Sequence, residues 1–470
     1  MNRIHLEPPA SIHLIGICGT GMGALAGLLQ AKGFTVSGSD AHAYPPMSTD
    51  LERRGVRVIE GYRAGNLDHN PDLVVVGNVC RVDHPEAAAA VKRGLAYASF
   101  PRTVRDIFLD DRDPIVIAGT HGKTTTTALT AFLLHATGRD PSFLIGGISA
   151  DFGAGFGLGQ GPSFVIEGDE YDSAYFEKQP KFLSYAPAAA VITSIEHDHI
   201  DIYPTAASYH AAFDDLAELV DPGPLAVYAG DPDAIRATES AHCEVATYGV
   251  EGDAPAGETK WLASIGRAGE FELRIEGRRA GLFRSPMEGR HNLRNTLAAL
   301  IMAHEAAGAP LAELGQALPN FLGVARRQQV LGRPGDITVY DDFAHHPTAV
   351  RETISALAAL HPAGRLLAAF EPRSATACRR LHQQAYVQAF DGAGLAIIAP
   401  VGRELPAKER LDTERLVAEL ERRGVPAVAS STHENVLAKI VQWTRPGDGV
   451  VLMSNGAFGG IRDRLLEALK

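Results

Sequence analysis

The sequence predicts an α/β protein of three domains in series, over residues 1–110, 111–328 and 329–470. Three observations carry that expectation. Short apolar runs of strand length alternate with helix-length segments along the whole chain, as parallel sheets require. Two of those strands run straight into glycine-rich turns. Finally, 470 residues exceed one hydrophobic core at roughly 100 to 200 residues per domain.

In the first block, Ile12-His13-Leu14-Ile15 reads as a strand, Gly16 to Ala24 as a glycine turn, and the stretch to Lys32-Gly33 as a helix. Phe34 to Asp40 is a second strand that ends in an acid. Gly19-x-Gly21-x-x-Ala24 with Asp40 about twenty residues later fits the fingerprint of a turn that lets a nucleotide phosphate approach the backbone. The spacing does not say which nucleotide. Asp72 to Gly77 continues the alternating pattern.

The second block opens with the strand Pro114-Ile115-Val116-Ile117, the loop Gly119 to Thr124, and a helix from Ala128 that ends near Gly138. Gly119 precedes Gly122-Lys123-Thr124 by two residues only, so the G-x-x-x-x-G-K-[ST] pattern fails as written. The context still favours phosphate. A glycine turn between strand and helix aims N–H groups and the positive helix end at one point. Lys123 adds a full charge there, and Thr124 a hydroxyl suited to Mg2+. Further strands are Phe164-Val165-Ile166-Glu167 and Ala190-Val191-Ile192-Thr193, and residues 245–285 read as short strands and turns. In the third block Ile337 to Asp342, Arg365 to Phe370, Leu395 to Ile398 and Gly449 to Met453 are strands, and Thr348 to Ala359 is a helix.

A formal charge of −12 and the lack of a dense Lys/Arg stripe argue against nucleic acid as a partner. No run approaches eighteen consecutive apolar residues and the N-terminus lacks a secretory core, so the expectation is a cytoplasmic protein without a membrane partner. Cys18, Cys80, Cys243 and Cys378 are far apart with no C-x-x-C pair, which indicates neither disulfides nor a zinc knuckle.

Acids and imidazoles gather at the predicted strand ends. Glu167-Gly168-Asp169-Glu170-Tyr171-Asp172 puts four acids in six residues beside the phosphate loop, an arrangement that a bridging Mg2+ makes sense of. Glu196-His197-Asp198-His199-Ile200-Asp201-Ile202 begins like the H-x-H-x-D-H signature of zinc hydrolases, but Ile202 stands where a histidine is needed. His199 therefore reads as a metal or phosphate contact of a Mg-ATP site. Asn292 and Asn295 lie three apart at a helix start, on one face; they either cap the helix or read a base. Arg326-Arg327 add cations just before the boundary with the third block, and Tyr340-Asp341-Asp342-Phe343-Ala344-His345-His346-Pro347 adds acids and imidazoles at a strand end within it, where open α/β sheets bind ligands.

Taken in order, GICGTGMGALA, AGTHGKTTTT, EGDEYD, IEHDHID, GRHNLRN, ARRQ and YDDFAHHPT resemble the Mur ligase family of ATP-dependent amide-forming enzymes over nearly the whole chain. The shortened loop that fails the common pattern is that family's own form. The resemblance implies a Rossmann-like UDP-binding N-terminal domain, a central P-loop-type ATPase domain and a C-terminal Rossmann-like ligase domain. Two branches fit, one adding L-alanine to UDP-N-acetylmuramate and one adding a cell-wall peptide to it. SDAHAYPPMST, DEYDSAYF, EPRS and MSNGAFGG look like the peptide-adding branch; the alanine-adding branch usually carries D-E-S-D and F-Q-P-H-R, where Tyr171 and Arg373 stand here.

By motif position, the resemblance implies that Gly19, Thr20, Gly21, Met22, Ser39 and Asp40 hold the UDP-sugar. Gly119, Thr120, His121, Gly122, Lys123, Thr124 and Thr125 would cradle ATP, with Asn292 and Asn295 on the adenine side and Asp342 on the nucleotide. Lys123, Glu167, His199 and Arg327 are the implied catalytic groups, and Thr124, Glu167 and His199 the implied Mg2+ ligands. His345, Arg373 and Tyr171 are implied peptide contacts. ATP and Mg2+ are the expected cofactors, and the oligomeric state stays open.

Some members of the family use a carbamoylated lysine, but no lysine occurs between Lys181 and Lys260, where it would fall, so none is expected. A nicotinamide oxidoreductase using the Gly19 turn would leave the Gly119 loop and its acids unexplained. A non-catalytic UDP-sugar-binding protein would have no use for Lys123, Glu167 and His199 together.

Overall fold

The computed structural model describes residues 3–43, 47–200, 202–253, 258–267 and 269–470. Tyr44, Pro45 and Pro46 of the SDAHAYPPMST segment and Asp201 of IEHDHID lie outside them. By contacts the chain divides into two compact units: Met1–His197, Asp201–Pro286 and Arg294–Leu322 form one, and Asp198–Ile200, Met287–Leu293 and Gly323–Lys470 form the other.

The first unit holds two sheets. β1 (Ser11–Ile15), β2 (Thr35–Asp40), β3 (Arg57–Glu60), β4 (Leu73–Val76) and β5 (Tyr97–Ser99) are all parallel, in the order β3-β2-β1-β4-β5. The order reverses on either side of β1, and such a switch point opens a crevice at the carboxyl end of that strand. Alternation sorts the side chains onto two buried faces. Ile12, Leu14, Leu73 and Val75 join the main core, while Ile15, Val74 and Val76 pack on the other side.

β6 (Asp113–Ala118), β7 (Ser142–Leu144), β8 (Phe156–Gly157), β9 (Ser163–Gly168), β10 (Ala189–Ile192), β11 (Leu225–Tyr228), β12 (Val245–Val250), β13 (Trp261–Ile265), β14 (Glu270–Ile275) and β15 (Arg278–Arg284) build the second sheet, in the order β15-β14-β13-β12-β11-β10-β6-β9-β7-β8 among the described residues. Its centre is parallel: β6 lies between β9 and β10, with Ile117 opposite Glu167 and Ala118 opposite both Gly168 and Ile192. That register brings three strand ends to one edge. One apolar cluster runs from Ile12 and Leu25 through Phe108 to Val116, Phe164 and Leu225, so the two sheets share a core.

The second unit is built on β16 (Gln329–Gly332), β17 (Thr338–Asp342), β18 (Leu366–Phe370), β19 (Leu395–Ile398), β20 (Ala427–Ala429) and β21 (Gly449–Met453), in the order β16-β17-β21-β18-β19-β20. Only the edge strand β16 is antiparallel to its neighbour, among the described residues. Val339, Leu367, Ala369, Ile397, Val450 and Leu452 pack on one face, and Leu366, Ala368, Phe370, Ile398, Val451 and Met453 on the other. A parallel sheet covered on both faces reads as continuous apolar runs, as these strands do. No described helix is long and apolar enough to cross a membrane.

Candidate active site

At the end of β6 the chain turns through Gly119 (φ +125°) and Gly122 (φ +82°) into the helix Lys123–Ala136. Both conformations favour glycine, and space excludes anything larger. A Cβ on Gly119 would lie 2.1 Å from Thr193 Oγ1, and one on Gly122 2.3 Å from Asn295 Oδ1. The loop is braced on the segment after β10: Thr120 N–H donates to Ser194 O, His121 N–H to Ser194 Oγ and His121 Nε2 pairs with Glu196 Oε2 at 2.8 Å. Gly122 caps the helix without a side chain. A run of four threonines is poor helix material, yet Thr127 and Thr130 donate their hydroxyls to the carbonyls four residues back, at 2.8 Å each.

The acids after β9 meet this turn. Thr124 Oγ1 donates to Glu167 Oε1 at 3.0 Å, and Glu167 Oε2 accepts Gly146 N–H at 2.7 Å. Lys123 Nζ donates to Gly119 O at 2.6 Å and to Glu170 Oε2 at 2.8 Å. Burial acts to lower the pKa of this ammonium, but the carboxylates of Glu170, Asp169 and Glu167 outweigh it and the shift is upward. Glu170 is itself buried, and its carbonyl accepts the Tyr203 hydroxyl. Lys181 pairs with Asp169 at 2.8 Å and lies over the Tyr171 ring, 4.3 Å from its centre. Burial first, then Asp169 and Glu170, push the Tyr171 phenol well above its usual range.

After β1, Gly19, Thr20 and Gly21 are exposed at the start of the helix Thr20–Lys32, which again has no side-chain cap, and Met22 is buried behind them. Asp40 Oδ2 accepts Cys18 N–H at 2.9 Å. Ser39 is fully buried, with its hydroxyl donated to Glu86 Oε2.

The second unit holds the remaining candidates. His199 has φ +51° and donates its N–H to Asp198 Oδ1, which also accepts the Thr376 hydroxyl. Asn292 Nδ2 donates to Glu288 O and to Gln328 Oε1, so its amide bonds the chain before β17, whereas Asn295 belongs to the first unit beside Gly122. Asp342 is buried and accepts Gln328 N–H and Ala344 N–H, both at 2.7 Å. Arg326 and Arg327 each lie 4.9 Å from the centre of the Phe343 ring. Burial, then Arg462, brings the Arg326 guanidinium down to about 10. His345 Nδ1 is 3.0 Å from Phe343 O. Arg373 is half exposed and lies along Gly456 and Gly402, with Glu371 4.0 Å away.

The sequence shows the acidic run but not the pairing of Glu170 with Lys123, and it gives no sign of Gly146 beside Glu167, of Glu86, or of Arg462 beside Asp341. No short motif carries those contacts.

A strand–loop–helix phosphate site with acids on the adjacent strand occurs in several nucleotide-binding families; the match to family models decides between them. Residues 11–112 match the Mur ligase family catalytic domain, 117–303 the Mur ligase middle domain and 326–456 the Mur ligase glutamate ligase domain. The chain belongs to the Mur ligase family. Mur ligases are ATP-dependent and form C–N bonds, and this chain is such an enzyme. It is 35% identical to the UDP-N-acetylmuramate–L-alanyl-γ-D-glutamyl-meso-2,6-diaminoheptandioate ligase of Escherichia coli, over 97% of this chain and 98% of the relative. A UDP-N-acetylmuramate–L-alanine ligase of a Nocardioides species is 36% identical over 97% and 96%. The crystal structure of a murein peptide ligase from Psychrobacter arcticus superposes with a TM-score of 0.73 at 33% identity, covering 98% of each chain.

Proposed function

We propose that this Mur ligase joins L-alanyl-γ-D-glutamyl-meso-diaminopimelate to the lactyl carboxylate of UDP-N-acetylmuramate, with ATP going to ADP and phosphate, in the cytoplasmic recycling of peptidoglycan. Its working domains would be 1–110 for the UDP-sugar, 111–328 for ATP and 329–470 for the peptide. The observation that carries the ligase chemistry is the meeting of Lys123, Thr124, Glu167 and Glu170 at the carboxyl ends of β6 and β9. Full-length likeness to the E. coli peptide-adding enzyme supports the substrates. Because an alanine-adding relative is as identical, Tyr171 and Arg373 favour the peptide reading more than overall identity does.

A carboxylate is a poor electrophile because oxide cannot leave. Transfer of the γ-phosphoryl group makes an acyl phosphate, the peptide amine attacks its carbonyl carbon, and phosphate departs. Lys123 would neutralise the β- and γ-phosphates at the helix N-terminus, with Arg327 on the γ-phosphate. Asn292 and Asn295 would line the adenine side, and Asp342 would contact the nucleotide. The oxygens of Thr124 and Glu167, 3.0 Å apart, are hard donors of the kind that Mg2+ takes, and with His199 they would hold it. The ion would supply charge neutralisation between phosphate oxygens. Preorganised cations around the tetrahedral oxyanion contribute about 3 to 4 kcal/mol per contact. His345 would meet the incoming amine, and Tyr171 and Arg373 the peptide.

Phosphate release with Mg-ATP and UDP-N-acetylmuramate tests this, with L-alanine or the tripeptide added in parallel. Turnover with the tripeptide and not with alanine is expected; turnover with alanine alone would assign the chain to the alanine-adding branch.

A further inference from the structure

Glu86 is a fully buried carboxylate at the second residue of the helix Pro85–Arg93. A buried charge persists only where it is hydrogen-bonded and paired, and Glu86 gathers four partners from three segments. Its Oε2 accepts the Ser39 hydroxyl at 2.5 Å and lies 3.4 Å from His13 Nε2. Its Oε1 accepts Asn66 Nδ2 at 2.6 Å and Arg63 N–H at 3.2 Å. The positive end of its own helix adds to this. Burial pushes the carboxyl up, and the hydrogen bonds from His13, Ser39 and Asn66 bring it down further, so it sits below the usual carboxylate range.

What these partners hold is the buried base of the glycine turn, whose tip at residues 19–21 is exposed. The Ser39 carbonyl accepts both Gly16 N–H and Ile17 N–H, and the next residue, Asp40, takes Cys18 N–H on its carboxylate. The Asp40 carbonyl accepts Gly61 N–H, and the Gly61 carbonyl accepts the same Asn66 amide that bonds Glu86. One carboxylate thus sets the end of β2 and, through it, three successive amides of the turn at 16–18.

We infer that Glu86 is a positioning residue for the UDP-sugar: it acts through Ser39 and Asn66 to hold the Gly16–Gly21 turn in its binding geometry, and Ser39 serves as its relay through the buried hydroxyl rather than as a direct ligand. This rests on the reading that the turn binds a UDP-sugar.

The test uses the full-length chain, with calorimetric binding of UDP-N-acetylmuramate and separately of Mg-ATP to wild type, Glu86→Gln, Glu86→Asp and Ser39→Ala. Glu86→Gln should raise the Kd for UDP-N-acetylmuramate roughly tenfold or more, the scale of a lost charged hydrogen bond. The Kd for Mg-ATP should stay within about twofold of wild type, because Glu86 touches none of the Gly119 loop. In kinetics the loss should appear in KM for UDP-N-acetylmuramate with kcat kept, Glu86→Asp should recover part of it, and Ser39→Ala should lose less than Glu86→Gln. Unchanged UDP-sugar binding in Glu86→Gln and Ser39→Ala, or parallel loss of both ligands, overturns the inference. If Glu86→Gln does not fold, Ser39→Ala alone decides. Failure of the wild type to bind UDP-N-acetylmuramate would instead refute the underlying reading.

Discussion

Lys123 Nζ lies 2.8 Å from Glu170 Oε2, across 47 residues of sequence, with both side chains nearly buried. The ammonium that, in the proposed mechanism, neutralises the phosphates is thus already held by an internal anion. Glu170→Gln should therefore act in opposite directions on two quantities. Stability should fall by about 3 kcal/mol, as for a broken buried pair, while ATP measured without metal should bind about tenfold tighter. On that mechanism the free enzyme loses an ion pair that the ATP complex would give up in any case. Chemical denaturation and calorimetry in EDTA check the two; a Kd equal to wild type would show that Lys123 keeps Glu170 when ATP is bound.

Thr124 and Glu167 make a different contact. Thr124→Val keeps the volume and removes the hydroxyl that donates to Glu167 Oε1. It should shift the Mg2+ concentration for half-maximal phosphate release upward by about tenfold, the scale of one lost oxygen ligand or charged hydrogen bond. Glu167→Gln should shift it further. A normal Mg2+ titration in both variants would remove these residues from the proposed metal site.

The fold was largely legible in sequence because its signals are local. β6 and β9 are apolar runs bounded by turns, and Gly119 and Gly122 announce a turn that only glycine fits. β5 and β20, three residues each, are too short for any alternation to show. The site was legible as a set of segments and not as a set of pairs. That Thr124 meets Glu167 follows from the parallel register of β6 with β9, a non-local fact. Glu86 gave no signal at all: in sequence it is one acid at the start of an alanine-rich helix, and its importance comes from four segments that meet only in the folded chain.

Asp448 sets a pH dependence of stability. It is buried, and its oxygens accept Arg365 Nη2 and Arg445 N–H at 2.8 and 2.9 Å. Burial pushes its carboxyl up, but the Arg365 side chain and the backbone amides outweigh that and hold it below 3.8. A carboxylate depressed in the folded state stabilises above its unfolded pKa and loses that contribution as pH falls through the folded value. Asp448→Asn should cost about 2 kcal/mol at pH 7, with the difference from wild type shrinking below about pH 4. Melting temperatures across pH 3 to 7 check this; a constant difference would mean that the charge is not what matters.

No lysine occurs between Lys181 and Lys260, so a carbamoylated lysine has no side chain to form on there. Initial rates in carbonate-depleted buffer should be unchanged by added bicarbonate. A stimulation would place such a lysine elsewhere in the chain.

Gly456 offers a probe of the proposed peptide contact at Arg373. A Cβ at this position would stand 2.3 Å from Arg373 Cδ and 2.7 Å from its Nη1, so the arginine lies flat against the bare backbone. That backbone cannot give way, because the Gly456 carbonyl accepts Arg326 Nη2 at 2.8 Å and Arg462 Nη1 at 2.6 Å, and its N–H donates to Ser454 Oγ at 2.8 Å. The half-exposed Arg373 side chain can move, so the added methyl should displace the guanidinium and leave the fold intact. If Arg373 reads a peptide carboxylate, Gly456→Ala should raise KM for the tripeptide about 10- to 100-fold, leave KM for ATP and UDP-N-acetylmuramate unchanged, and leave little difference between the free acid and its C-terminal amide. Arg373→Ala should give the same pattern without the clash. A tripeptide KM within twofold of wild type in both variants would mean that the carboxylate is read elsewhere, and that Arg373 owes its place at this strand end to the buried Glu371 beside it.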